Sequence, residues 1–134
     1  MKDVYDQNLK KVQKIFHEEA EIAFKKYHVS PPYPKLLVFP KNMLHNHNLK
    51  NLGGEAHLRQ NEIWFVAELL TEDPWIVERI AKRTIRHELA HIIAYKKALE
   101  WKDNEKDMKE IDKDLGSGIC GDIIALVGGR KLRA

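Results

Sequence analysis

Apolar residues recur at steps of three and four across residues 3–27, at Tyr5, Leu9, Val12, Phe16, Ala20, Ala23 and Tyr27. Such steps keep one stripe on one side of a 3.6-residue helix, so the spacing predicts a long amphipathic helix. Ser30-Pro31-Pro32-Tyr33-Pro34 ends it, because successive prolines bring no amide donors. The period then changes. Leu36-Leu37-Val38-Phe39 reads as a short buried strand closed by Pro40, and residues 41–54 read as loop ending in Gly53-Gly54. Further strands are expected around Ala56–Arg59 and Ile63–Ala67, joined by a tight hairpin at Gln60-Asn61. The last of these is nearly all apolar, as it should be where helices cover part of a sheet.

Asp73-Pro74 reads as an N-cap followed by proline at the first helical position. No breaker follows until about Trp101, so a long helix is expected over that stretch. The charged run Lys102 to Asp114 reads as a short helix or an ordered loop. A last helix is expected near Ile119–Val127, closed by Gly128-Gly129. The order is that of an α+β protein with a small sheet against helices.

Composition narrows this picture. A chain of 134 residues, 43% of them apolar, holds one core and reads as a single domain over 1–134. The net charge of +3 falls well short of the dense basic stripe of a dedicated DNA binder. The tail Arg130-Lys131-Leu132-Arg133 is the one place where a weak nucleic-acid contact is expected, against the plainer reading of a solvated tail. A single cysteine, Cys120, rules out an internal disulfide and a cysteine-rich zinc knuckle. No signal-like or membrane-spanning apolar run is present in the sequence, so no membrane partner is expected and the reading is cytoplasmic.

The chemistry lies in the middle of the second long helix. His87 and His91 stand four residues apart, one above the other on a helix, so both imidazoles can reach one metal ion. Glu88 falls beside the open coordination position, where it can accept a proton from water and return it to a leaving amine. Seven His and twelve Glu in 134 residues would give His-Glu-x-x-His about 0.03 times by random placement. The neighbours Leu89, Ala90, Ile92 and Ile93 are uncharged, as a helix buried around its ligands requires.

Residues Thr84-Ile85-Arg86-His87-Glu88-Leu89-Ala90-His91-Ile92-Ile93 resemble the long zinc-binding consensus of the zincin metallopeptidases. The resemblance extends over residues 55–129, and chain length and layout are similar to minimal gluzincins and SprT-like (Spartan-type) proteases. It implies a zincin-like fold, with a small mixed sheet on a long N-terminal helix and an active-site helix, followed by a C-terminal helix. It also implies Zn2+ as cofactor, a peptide or protein substrate aligned by an edge strand (Ile63–Ala67 is one candidate), and Glu88 as catalytic residue.

A catalytic zinc needs three protein ligands, and no histidine follows His91. Three sources stay open on sequence. Glu110 follows His91 at a gluzincin-like spacing, but sits in a charged run opposite the Met108/Ile111/Leu115 stripe. The segment Gly118–Ala125 resembles the gluzincin ligand helix, placing Gly118 at the ligand position and Asp122 as a support for His87 or a ligand itself; a SprT-like register puts Ser117 there instead. His45, His47 or His57 would have to come from upstream. Without any of these, the chain would be a degenerate or latent module that binds a protein or nucleic-acid partner. Tyr95 continues the histidine face, as a cleft residue or a buried tyrosine. Trp64, Trp75 and Trp101 are expected in the core, and Cys120 reads as a small buried residue.

Overall fold

The computed structural model describes residues 2–44, 53–103 and 105–117. Three helices and a three-stranded mixed sheet make up the α+β architecture: α1 (Lys2–Lys26), β1 (Lys35–Phe39), β2 (Gly54–His57), β3 (Glu62–Val66), α2 (Pro74–Lys96) and α3 (Lys106–Leu115). Short 3-10 turns occupy Lys41–Met43 and Ala67–Thr71.

The stripe read along α1 is the one that packs. Val12, Ile15, Phe16, Ala20, Ala23 and Phe24 are buried, while Tyr5, Leu9 and Tyr27 are partly covered at the two ends. Each large side chain so removed from water contributes about 1.5–3 kcal/mol. Asn8, on the same face, is also fully buried. Its amide donates to the carbonyls of Leu70 and Glu72 at 2.8 and 2.9 Å, tying α1 to the turn before α2.

The sheet order is β1-β3-β2, with β1 parallel and β2 antiparallel to β3. The apolar run Glu62–Val66 is therefore the central strand, not the edge strand it was expected to be. Its hydrophobicity reflects neighbours on both sides, with Ile63 and Phe65 fully buried. Among the described residues the edge strand on the α2 side is β2, which begins two residues earlier than its sequence pattern indicates. Two glycines explain that start. A Cβ on Gly54 would lie 2.2 Å from the Trp64 carbonyl oxygen, and one on Gly53 would lie 2.1 Å from the Thr84 hydroxyl of α2. Only glycine lets this strand approach both β3 and the helix so closely.

Helix α2 runs through the centre, against α1, α3 and β2. Pro74 stands at its first turn, but the Asp73 side chain makes no capping hydrogen bond; only its carbonyl accepts, from Ile76 and Val77. The helix stops at Lys96, five residues short of Trp101. The stop is made by Ala98, whose φ is 58°, with Ala98 N–H donating to the Tyr95 carbonyl and Leu99 N–H to that of Ala94. Glycine usually fills this left-handed position, so an alanine there gave no breaker signal.

The charged run resolves into α3, which buries Met108 and Ile111 against the core and ends at Gly116 in the left-handed region. The tryptophans do not all serve the core. Trp64 is packed on it, but Trp75 is 56% exposed and Trp101 is 37% exposed. The expected last helix, with Cys120, Asp122 and the basic tail, lies outside the described residues, as do His45 and His47. Among the described residues no helix is long and apolar enough to cross a membrane.

Candidate metal centre

The second half of α2 is buried almost all round, because α1, α3 and β2 surround it. His87 and Glu88 are 4% and 3% exposed, and His91 opens slightly to solvent. The two imidazole rings stand at 87° to each other with centroids 4.8 Å apart. One ligand atom each from His87, Glu88 and His91 can be chosen so that all lie within 4.8 Å of one another. The helical spacing thus does bring the three residues to one point.

What holds the rings comes from outside the helix. Nδ1 of His87 is 3.0 Å from a carboxylate oxygen of Asp112, on α3. Nδ1 of His91 hydrogen-bonds to the backbone carbonyl of Trp101, in the loop after α2. Both acceptors require Nδ1 to carry the proton, which leaves each Nε2 with its lone pair facing the centre.

Those two nitrogens converge on one atom. Oδ1 of Asp103 is 2.8 Å from Nε2 of His91 and 3.3 Å from Nε2 of His87. The His87 nitrogen, although buried, makes no hydrogen bond. Two lone pairs and a carboxylate oxygen facing each other repel unless positive charge lies among them, either protons on the rings or a metal ion. Ligand atoms of a tetrahedral zinc at roughly 2.0–2.1 Å would stand about 3.3 Å apart, beside the 2.8 and 3.3 Å between Asp103 Oδ1 and the two nitrogens. A two-nitrogen, one-oxygen donor set suits zinc. The residues present fit a divalent metal.

Without a metal ion the same carboxylates draw protons onto the rings. Burial alone would hold His87 in its neutral form, but the carboxylates of Asp103 and Asp112 and the charge of Glu88 outweigh it and raise its pKa to about 10. His91 is raised as well, with burial again overcome, here by Asp103 and Glu88. The two imidazoles hold Asp103 far below the ordinary carboxylate range. For Asp112 burial works upward, but His87 pulls the net shift down. Glu88 goes the other way: burial raises it to about 7 against the attraction of both histidines, with Asp103 and Glu55 adding to the rise. A carboxyl near neutrality can both take and give a proton.

A cleft of about 210 Å3 opens beside these groups, lined by Glu55, Ala56, Leu58, Glu88, His91, Trp101 and Asp103. Glu55 and Ala56 lie on β2, so the edge strand of the described sheet borders the cleft.

The candidates for a third ligand are placed differently from the sequence reading. Glu110 is exposed and lines a separate hollow with Tyr27, Leu99, Asp107, Ile111 and Asp114. It is not brought to the histidines, because it points away from the buried Met108/Ile111 face of α3. Asp122 lies outside the described residues. Ser117 is buried at the end of α3, with its N–H on the Asp112 carbonyl. His57 stacks on Trp64 at 3.7 Å and sits 3.3 Å from a Glu55 oxygen. Tyr95 is 40% exposed and meets Trp101 edge-on, outside the cleft lining.

Asp103 and Asp112 were missed. Asp112 had a signal, since it follows Met108 by four residues and shares the buried face of α3. Asp103 had none, because its position depends on where the helix stops and how the loop turns back. Comparison with protein-family models, with curated proteins and with solved structures finds no match for this chain, so the reading of the site rests on its own geometry.

Proposed function

We propose that the chain is a zincin-like, zinc-dependent peptidase in which His87, His91 and Asp103 hold the metal and Glu88 serves as general base and acid. One observation carries the reading: two Nε2 atoms, each with its Nδ1 committed to a fixed acceptor, converge on a single Asp103 oxygen. A zinc ion bound there supplies Lewis-acid polarisation of a scissile carbonyl.

The chain's own residues do the rest. Asp112 and the Trp101 carbonyl keep the rings in the tautomer and orientation that ligation needs. Glu88, almost dry and with a pKa near 7, removes a proton from the attacking water and delivers it to the departing amine. The edge strand β2 is the element that would align an extended peptide by strand addition. That this strand and this carboxylate border one cleft supports a proteolytic role.

The test is metal analysis joined to turnover. Stoichiometric zinc is expected in the purified protein, with loss in His91→Ala and Asp103→Ala. Glu88→Gln should keep the metal and abolish cleavage of an unstructured protein such as casein. Undiminished zinc in His91→Ala, or proteolysis retained in Glu88→Gln, would overturn the assignment. Tight zinc without any cleavage would make the chain a metal-holding binding module instead.

A further inference from the structure

The outer wall of the metal centre is built by Glu100–Asp103, a strap that leaves α2 through the left-handed turn at Ala98. The strap offers the Trp101 carbonyl to His91 and the Asp103 carboxylate to both rings. It also brings Trp101 and Asp103 to the lining of the cleft.

Its other hydrogen bonds stay local. Glu100 N–H donates to the Asp107 carboxylate, and Asp107 N–H donates to that of Glu100. Lys102 N–H donates to the Glu105 carboxylate, and Glu105 N–H donates to the Lys102 carbonyl. These two clasps join the strap to itself and to the first turn of α3. Among the described residues it makes no hydrogen bond to α1 or to the sheet.

Apolar packing adds little. Leu99 and Trp101 are each 37% exposed, and neither is among the described side chains packed on the core. Trp101 has an edge contact with Tyr95, itself well exposed, and the Lys102 ammonium lies 5.8 Å from its ring. The contrast is with α3, which Met108 and Ile111 anchor in the core. A segment with few buried contacts opens at small cost in free energy. The strap is thus held inward chiefly by the two histidines. Without an ion, the Asp103 contact is an ion pair on a half-exposed carboxylate, which is worth little. Coordination to a shared ion is a far stronger tie.

We infer that Glu100–Asp103 is a metal-latched strap: a divalent ion held by His87, His91 and Asp103 closes it over the cleft, and loss of the ion lets it swing away from α2. The inference rests on the proposed metal site and adds regulation to it. A chain stripped of its ion loses the Trp101 and Asp103 walls of the cleft together with a ligand, so metal supply governs the shape of the substrate site as well as the chemistry. Opening also gives the ion a way to the buried Nε2 of His87, beside which Asp103 Oδ1 stands at 3.3 Å.

Backbone 15N relaxation on the full chain at neutral pH tests this, before zinc removal by chelator, after it, and after zinc is returned. Zinc content is measured on the same samples. Order parameters of residues 100–103 should be about 0.85 with zinc and fall below about 0.6 without it, while those of Val12–Ala23 in α1 stay near 0.85 throughout. Trypsin gives a second reading: cleavage after Lys102 should be at least about tenfold slower in excess zinc. In His91→Ala, added zinc should change neither measure.

A strap equally ordered with and without bound zinc would overturn the inference and spare the metal site. Loss of order in α1 along with the strap would also overturn it, because the ion would then hold the whole fold. A protein that takes up no zinc would bring down the metal site itself, and the latch with it.

Discussion

The two histidines of the centre are held by walls of different construction. His87 faces the inner wall, where a carboxylate, Asp112, is carried by a helix whose Met108 and Ile111 are buried in the core. His91 faces the outer wall, where a backbone carbonyl in an exposed loop does the same task, and where the 51% exposed side chain of Asp103 reaches both rings. The inner contact is as rigid as the packing beneath it, and its strength includes a full negative charge. The outer contact cannot be removed by changing a side chain, but it depends on the path of the loop. Orientation of a ligand can thus be secured by packing or by backbone, and the two respond differently to mutation.

The largest expected effect is on the inner wall's foundation. Met108→Ala removes a fully buried side chain and should lower stability by about 2–5 kcal/mol, read by denaturant unfolding. Zinc affinity should fall with it, because Asp112 shares that helix. A fall in stability with metal affinity untouched would separate the two.

Next comes the contrast between partners. Asp112→Asn should weaken zinc binding by about 10–100-fold, measured by competition with a chromophoric chelator. Trp101→Ala keeps the carbonyl and should change zinc affinity by no more than about threefold. If Trp101→Ala proved as damaging as Asp112→Asn, the backbone account of the outer wall would fail.

The titrations offer a smaller and broader effect in chelator-treated protein. His87 has a folded-state pKa raised to about 10. Folding therefore favours its protonated form, and that contribution is complete below the unfolded value near 6.5 and lost as pH rises through 10. Glu88, raised to about 7, adds a loss beginning near the unfolded value of 4.5. Asp103 and Asp112 are lowered, so their contribution is present above 3.8 and lost on acidification. Thermal unfolding of metal-free protein should show a falling midpoint from about pH 7 to pH 10 that zinc largely abolishes. A flat metal-free profile over that range would refute it.

The smallest effect concerns the loop that builds the outer wall. Ala98→Gly relieves an alanine held at φ 58° and should raise stability by up to about 1 kcal/mol. Zinc affinity should not change, since neither Trp101 nor Asp103 is altered. A loss of stability would mean the alanine methyl is needed there.

Much of this was legible along the chain. The α1 stripe, the three strands, the start of α2 and the pairing of His87 with His91 all follow from local periodicity, and the structure has each of them within a few residues. The errors share a cause. Trp101 was placed in a helix because Ala98 ends α2 without a glycine, and Ile63–Ala67 was taken for an edge because pairing on both sides leaves no local mark. Spacing along the chain keeps Glu110 open as a ligand, although the helical face it occupies points away from the core.

The sequence by itself determined that two imidazoles and a glutamate share one helix face, since a helix turns by the same angle everywhere. Only the tertiary structure decided which carboxylates meet them. Asp103 and Asp112 reach the site because α2 stops at Lys96 and α3 folds back beneath it, and those distances are set by packing between elements far apart in the chain.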